Sequence, residues 1–387
     1  ALAILVFAVI LWVTEAVSYP VSSVAIIGLI ALLIGFSPDP EAPQKSLGTN
    51  GGLGYALEGF SAAAVALVPI GYLFLRTAQG GFGPWLDAVV SPRVGALAAT
   101  SLALTAVVTA LCLVIGVGAA WLVTRTDTPG RGLLAVLLAL PLAVPSYVAA
   151  FTWVSVSDLL PGVEAGRFEG FWAAVTVMTL YTYPYVYLPV AAALSRIDPG
   201  QEDVARSLGR GPAATLFTVT LAQVRPAIAG GALLVALYVL SDFGAVAILR
   251  LDTFTRAIFT ALEVGFNRQL ALTLATVLVL LTVLVLWGES RTRRADDGVR
   301  SGRTVRRVSV HRLGRSRWVG TGLLAVVTGA ALGVPAVSLV RWMGEGTSLS
   351  AVRDRWLDAV SGSVVLAGAG AALALALALP IGILAAR

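Results

Sequence analysis

LALTAVVTALCLVIGVGAAWLV, residues 102–123, runs for 22 residues without a charged side chain. A helix of that length reaches about 33 Å, enough to cross about 30 Å of hydrocarbon. The run lacks the polar–apolar alternation of a barrel strand. Lipid offers the backbone no hydrogen-bond partners, so such a segment satisfies its own amides as a helix. The charge-free stretch extends over 94–124, and others lie at 132–157, 170–195, 270–288, 318–340 and 361–386. Shorter or interrupted candidates are 1–14, 16–38, 59–75 and 226–249, the last carrying Asp242. The expected fold is all-α, a polytopic transmembrane helix bundle of about ten spans.

Composition agrees. Hydrophobic residues make up 58% of the 387 and charged residues 12%, with a mean hydropathy of +0.88. A soluble domain carries about 25% charged residues. The net charge of +6 comes largely from arginines crowded between spans, which membrane topology explains better than nucleic acid does. One cysteine, Cys112, within a span, and one histidine, His311, in a polar loop argue against a disulfide framework and against metal sites of thiolate or imidazole. ALAILVFAVILWVTEAV at the start has no basic n-region and no A-x-A site, so no signal peptide is expected. With no initiator methionine and a stop at Arg387 just after a span, a fragment of a longer protein is expected.

The loops give a direction. Residues 289–317 hold ten arginines against three acids, the mark of a cytoplasmic segment. Counting spans backwards places 250–269 outside, 195–228 inside, 158–170 outside and 124–131 inside. The inner loops carry Arg125, Arg131, Arg196, Arg206, Arg210 and Arg225, whereas 158–170 carries Asp158, Glu164 and Glu169 with one arginine. Loop 250–269 is less tidy, since it holds Arg250, Arg256 and Arg268.

WLDAV occurs twice, at 85–89 and 356–360, each time before an Ala/Leu-rich run that ends in one arginine, at Arg125 and Arg387. Coincidence in low-complexity sequence is one reading. The other is an internal repeat of the kind transporters use, with a second half beginning after the arginine-rich stretch and about four spans missing.

The informative polar segment is 198–228, DPGQEDVARSLGRGPAATLFTVTLAQVRPAI. Asp198 suits a helix cap, Pro199 the first turn, and Glu202 and Asp203 the positive end of the dipole. Gly209 after Leu208 reads as a left-handed helix end. Pro212 opens a second helix with Leu216, Val219 and Thr220 near one face. The expectation is a helix–glycine–helix at the membrane surface, shaped to enter a partner's groove.

This segment resembles the E-A-A loop of ABC-transporter permeases. Asp203-Val204-Ala205 stand for E-A-A, Gly209 follows at the family spacing, and Val219 and Leu221 occupy the later Ile and Leu positions. Ala222 stands where the family has proline. The resemblance implies an ABC importer permease-like fold, with Glu202, Asp203, Ala205, Gly209, Val219 and Leu221 forming a loop that couples to a separate ATP-binding cassette ATPase dimer. The chain has no G-x-x-x-x-G-K-[ST] phosphate loop, so ATP and magnesium would sit on that partner and no cofactor on this chain. A transport subunit rather than an enzyme is implied, in a bacterial inner membrane, supplied by a periplasmic or lipid-anchored substrate-binding protein, with lipid around it and no nucleic acid. The flanks LAVLLALPLAVPSYVAAFTW (134–153), TLYTYPYVYLPVAAALSRIDP (179–199) and VLSDFGAVAILRLDTFTRAIFTAL (239–262) are similar to ferric-iron permeases. Thiamine, phosphonate, sulfate and molybdate permeases share much of this pattern.

Four parts are expected: 1–68, 69–288 with the loop at 198–228, an arginine-rich linker at 289–317, and the start of a second half at 318–387. WVTEAVSYPVSSVAIIGLIALLIGFSPDP (12–40) and LEGFSAAAVALV (57–68) are similar to the start of divalent-anion:sodium symporters, although that family's S-N-T sodium motif is absent; two extra helices added to a permease are the other reading of 1–68. This leaves an ion-coupled anion transporter, or a truncated or mosaic chain that does not transport, as alternatives. Asp242 reads as either a pathway carboxylate or a helix cap within Ser241-Asp242-Phe243-Gly244. Tyr183 and Tyr185, with Tyr181 and Tyr187, read as pathway residues or, preferably, as an interfacial belt. Pro141, Pro145, Pro184 and Pro189 should bend their helices.

Overall fold

The computed structural model describes residues 68, 70–159, 167–197, 199–293, 311–344, 360–372 and 375. The chain falls into two compact units. In the smaller, formed by Ala1–Gln79 and Gly346–Arg387, the described parts are helical over 70–79 and at Val360–Ala372. The candidate spans at 1–14 and 16–38 lie outside the described residues.

The larger unit, Gly80–Glu345, is helical throughout its described elements save one isolated bridge between Thr126 and His311. It begins with α1 (Phe82–Val89) and α2 (Pro92–Arg125). The Ser91 side chain accepts from the Val94 amide and Pro92 supplies a preset φ at the first turn, so α2 starts where the charge-free run starts. At 34 residues α2 is longer than the hydrocarbon is thick, and its last residue is Arg125. Next come α3 (Arg131–Leu137), α4 (Ser146–Ser155), α5 (Phe171–Thr182) and α6 (Pro184–Leu194). The polar segment supplies α7 (Pro199–Ser207) and α8, a helix over 212–223 that widens to a π-turn at Leu216–Thr220. After these follow α9 (Arg225–Ser241), α10 (Gly244–Ile248), α11 (Phe254–Phe259), α12 (Arg268–Arg293) and α13 (Ser316–Gly344).

The core forms where α2, α6 and α9 meet. Leu104, Val108, Cys112, Gly116, Ala119 and Val123 of α2 are buried at spacings of three and four, one stripe down the helix. Val186 of α6 sits between two glycines. A Cβ built on Gly116 would lie 2.7 Å from the Val186 Cβ, and one on Gly231 of α9 would lie 2.9 Å from the Val186 Cα. Small residues let membrane helices approach closely enough for dispersion to hold them, because lipid removes the hydrophobic drive between spans.

Three continuous helices are long and apolar enough to cross a membrane: Pro92–Arg125, Arg268–Gly288 and Ser316–Gly344. Two more qualify as bent pairs. Arg131–Ala143 with Ser146–Ser155 turns by 96°, and Leu216–Gln223 with Arg225–Ser241 turns by 67°. Prolines account for both breaks: Pro145 is extended (φ −59°, ψ 142°) just before α4, and Pro226 in the first turn of α9 cannot donate back to Ala222. The expected ten spans thus become three to five among the described residues. The run 170–195 is helical in two parts of 12 and 11 residues meeting at Tyr183, and only the last part of 59–75 and the first part of 361–386 are described.

The two ends of the larger unit differ in character. Beyond α4 and α9, Arg341 reaches Asp158 at 2.9 Å, Arg250 reaches Glu169 at 3.2 Å and Arg256 reaches Asp252 at 2.5 Å. Arg250 and Arg256, which blurred the sequence reading of this end, are each paired with an acid. At the other end the turn after α2, helices α7 and α8, and the start of α13 gather together.

Candidate functional site

Helix α7 lies at the basic end and is mostly exposed. Gln201, Asp203, Val204, Ser207 and Leu208 face out, while Glu202 and Ala205 are buried. Its C-terminus closes through Gly209 at φ +83°, with the Gly209 amide donating to the Arg206 carbonyl (2.9 Å) and the Arg210 amide to the Ala205 carbonyl (3.1 Å). This paired arrangement is the glycine-closed helix end expected from the sequence, and it turns the chain sharply into α8.

Glu202 is the centre of the site. Its side chain is 1% exposed, yet it holds three polar partners from three places. The Arg125 guanidinium, itself fully buried at the end of α2, donates to Oε1. The Thr220 hydroxyl of α8 donates to the same oxygen at 2.7 Å. Arg206, one turn along α7, approaches Oε2 at 3.5 Å. Asp203, the residue that stands for the motif's acid, is instead 62% exposed and meets Arg206 at 3.5 Å. Val219 and Leu221 are half-buried in α8.

A strand-like strap closes over this joint. The His311 amide donates to the Arg125 carbonyl (2.8 Å), the Asp127 amide to the His311 carbonyl (3.2 Å), and the Leu313 amide to Asp127 Oδ1 (2.8 Å). The His311 Nε2 lies 3.3 Å from the Arg206 guanidinium, and burial together with that cation pushes its pKa down. Arg317 adds an ion pair to Asp127 at 3.8 Å.

The intramembrane candidates lie elsewhere. Asp242 follows the last residue of α9, is 8% exposed, and accepts the Ala245 amide at 2.9 Å, so it caps α10. Its own carbonyl accepts from the Thr255 hydroxyl at 2.8 Å, which ties α11 to the same break. Tyr183 is fully buried, and its hydroxyl has no partner among the described residues. Tyr185 is half-buried with its ring 5.5 Å from that of Tyr238. Tyr187 donates to the Ala135 carbonyl at 3.1 Å. Tyr181 of α5, Tyr183 at the junction with α6 and Tyr187 of α6 are all buried in the bundle core.

Residues 113–291, which carry Arg125, both arms of the polar loop and Asp242, match the family model of binding-protein-dependent transport system inner membrane components. Through them the chain belongs to the binding-protein-dependent transport permeases. The permease is 34% identical over 306 residues to the Fe(3+)-transport system permease protein FbpB 2 of Haemophilus influenzae, a match covering 78% of this chain and 59% of that protein's length. It is 28% identical over 236 residues to the sulfate transport system permease protein CysT of Salmonella typhimurium, covering 58% of this chain and 85% of the relative. Among solved structures, an inward-facing MetNI methionine ABC transporter is similar at a TM-score of 0.45 and 20% identity, over 54% of this chain and 99% of that one. The permease is thus an inner-membrane transport component and not itself an enzyme.

Sequence reading missed three members of the permease's site. Arg125 was read as an inner-loop arginine and as the end of an Ala/Leu-rich run, without a partner; its place directly after the longest charge-free run was the available signal. Thr220 was placed on a helix face without a partner. Nothing in the local sequence of His311 points to a bridge with residues 126 and 127.

Proposed function

We propose that this permease is the membrane subunit of an ATP-driven importer of ferric iron, and that α7 and α8 are the surface on which a separate ATPase docks. The observation that carries the reading is a polar helix pair at the arginine-rich end that nonetheless exposes Val204, Leu208 and Phe217, at 59%, 77% and 67%. Apolar side chains exposed outside the membrane, on elements anchored by a buried ion pair, form a docking face with a fixed posture. Glu202, Ala205 and Gly209 hold that posture, Asp203 offers a charged rim, and Val219 and Leu221 seat α8 on the bundle. A binding protein would deliver the cargo at the opposite end, and ATPase closure on α7 would switch the bundle between its two openings. Ferric iron is favoured by the 34% identity to an Fe(3+)-transport permease against 28% to a sulfate permease. A two-ATPase engine takes two such loops, so the second half expected from the WLDAV repeat belongs to the same proposal.

The test is co-expression with the neighbouring ATPase and binding protein, followed by uptake of radiolabelled ferric iron into inverted and right-side-out vesicles. Leu208→Glu with Phe217→Asp should abolish ATPase co-purification and uptake while leaving insertion intact. Undiminished co-purification by that double variant, or uptake of sulfate in place of iron, would overturn the docking face or the cargo respectively.

A further inference from the structure

We infer that the Arg125–Glu202 pair is the joint through which movement of α7 enters the membrane, so that α7 and the inner end of α2 travel as one rigid piece. This inference rests on the docking role proposed above.

Three observations carry it. First, the buried positions of α7 among the described residues are Glu202 and Ala205, and the larger of these is a carboxylate. Apolar side chains would hold a surface helix in place without the loss of hydration that burying two ions entails. Second, the pair is not arranged for stability. Arg125 Nε and Nη1 are buried and find no hydrogen-bond partner among the described residues, where buried polar atoms are as a rule satisfied. What the pair does provide is direction: one carboxylate held by donors from α2 and α8 fixes α7 in position and rotation, where an apolar contact allows sliding. Third, the partner lies where a displacement reaches several helices at once. Arg125 ends α2, and α2 packs along α5, α6 and α9. The strap at His311 fastens the same turn from the other side, through the Arg125 carbonyl. Arg125 and Glu202 are therefore positioning residues for transport, acting through the helices they join.

The experiment uses the permease assembled with its ATPase and binding protein in vesicles, measuring ATP hydrolysed and ferric iron taken up in parallel. Arg125→Met with Glu202→Leu removes the directional link without leaving a lone buried charge. The expected result, measured per assembled complex, is that iron uptake per ATP hydrolysed falls at least tenfold, with Arg125→Lys alone retaining most of the uptake. An unchanged ratio in the double variant overturns the joint. Spin labels at Ser207→Cys on α7 and Thr124→Cys in the last turn of α2 give an independent reading on an intact pair. Their separation should hold constant between the nucleotide-free and ATP-trapped states, and a change as large as one helical pitch, about 5.4 Å, overturns the rigid joint. Failure of the unaltered chain to retain the ATPase would overturn the proposed function, and the joint with it.

Discussion

Two neighbouring carboxylates in α7 show how much one residue's rotation decides. Successive residues on a helix point about 100° apart, so Glu202 turns inward to Arg125 while Asp203 faces water. The motif spacing was legible and located the loop and its closing glycine. It could not say which acid is buried, because that depends on where the end of α2 lies, some 80 residues earlier. His311 carries a testable consequence of the same crowding. Its pKa is lowered by burial and by Arg206, so the folded chain resists protonating it. The unfolded chain binds that proton below its ordinary value of about 6.5. The stability contributed by neutral His311 is therefore complete above that pH and declines as pH falls through it. Thermal unfolding in detergent should show a loss of stability between pH 7 and 5.5 that His311→Gln flattens.

At the scale of elements, the charge-free runs 94–124, 270–288 and 318–340 each lie within one helix, α2, α12 and α13 respectively. Length and hydropathy determine such helices directly, because the bilayer leaves the backbone no alternative. The charge-free run 132–157 breaks by 96°, and 226–249, charge-free apart from Asp242, is joined to α8 at 67°. Composition reports whether a segment is at home in lipid and is silent on its direction. The prolines were visible, but the size of each bend is set by what packs against it. Close helix packing is the other feature that only the assembled bundle shows. Gly116 and Gly231 both lie against Val186, whereas Gly118, two residues along α2, has nothing within 4 Å of where a Cβ would sit. Gly116→Val or Gly231→Val should cost about 1–3 kcal/mol through overpacking. Gly118→Ala should be neutral or stabilising by about 0.5–1 kcal/mol, since it only removes glycine's unfolded-state freedom. Chemical unfolding in micelles separates the two outcomes.

For the molecule as a whole, the turn after α2, helices α7 and α8 and the start of α13 meet at one end of the larger unit, and the Arg341–Asp158 and Arg250–Glu169 pairs lie at the other. Helix α13 runs between those ends and is fastened at each. His311 and Leu313 are bonded to the turn after α2, Arg317 pairs with Asp127, Arg341 pairs with Asp158, and Trp342 stands edge-on to Phe151 at 4.7 Å. Leu324, Thr328 and Ala331 are buried along its length. The peptide chain between Arg293 and His311 is consequently not what keeps α13 in its berth. A gene severed in that interval and expressed as two polypeptides should yield fragments that find each other in the membrane and co-purify through a tag on either one. Recovery of each piece alone would mean that the covalent thread, rather than the contacts at its two moorings, keeps this helix beside its neighbours.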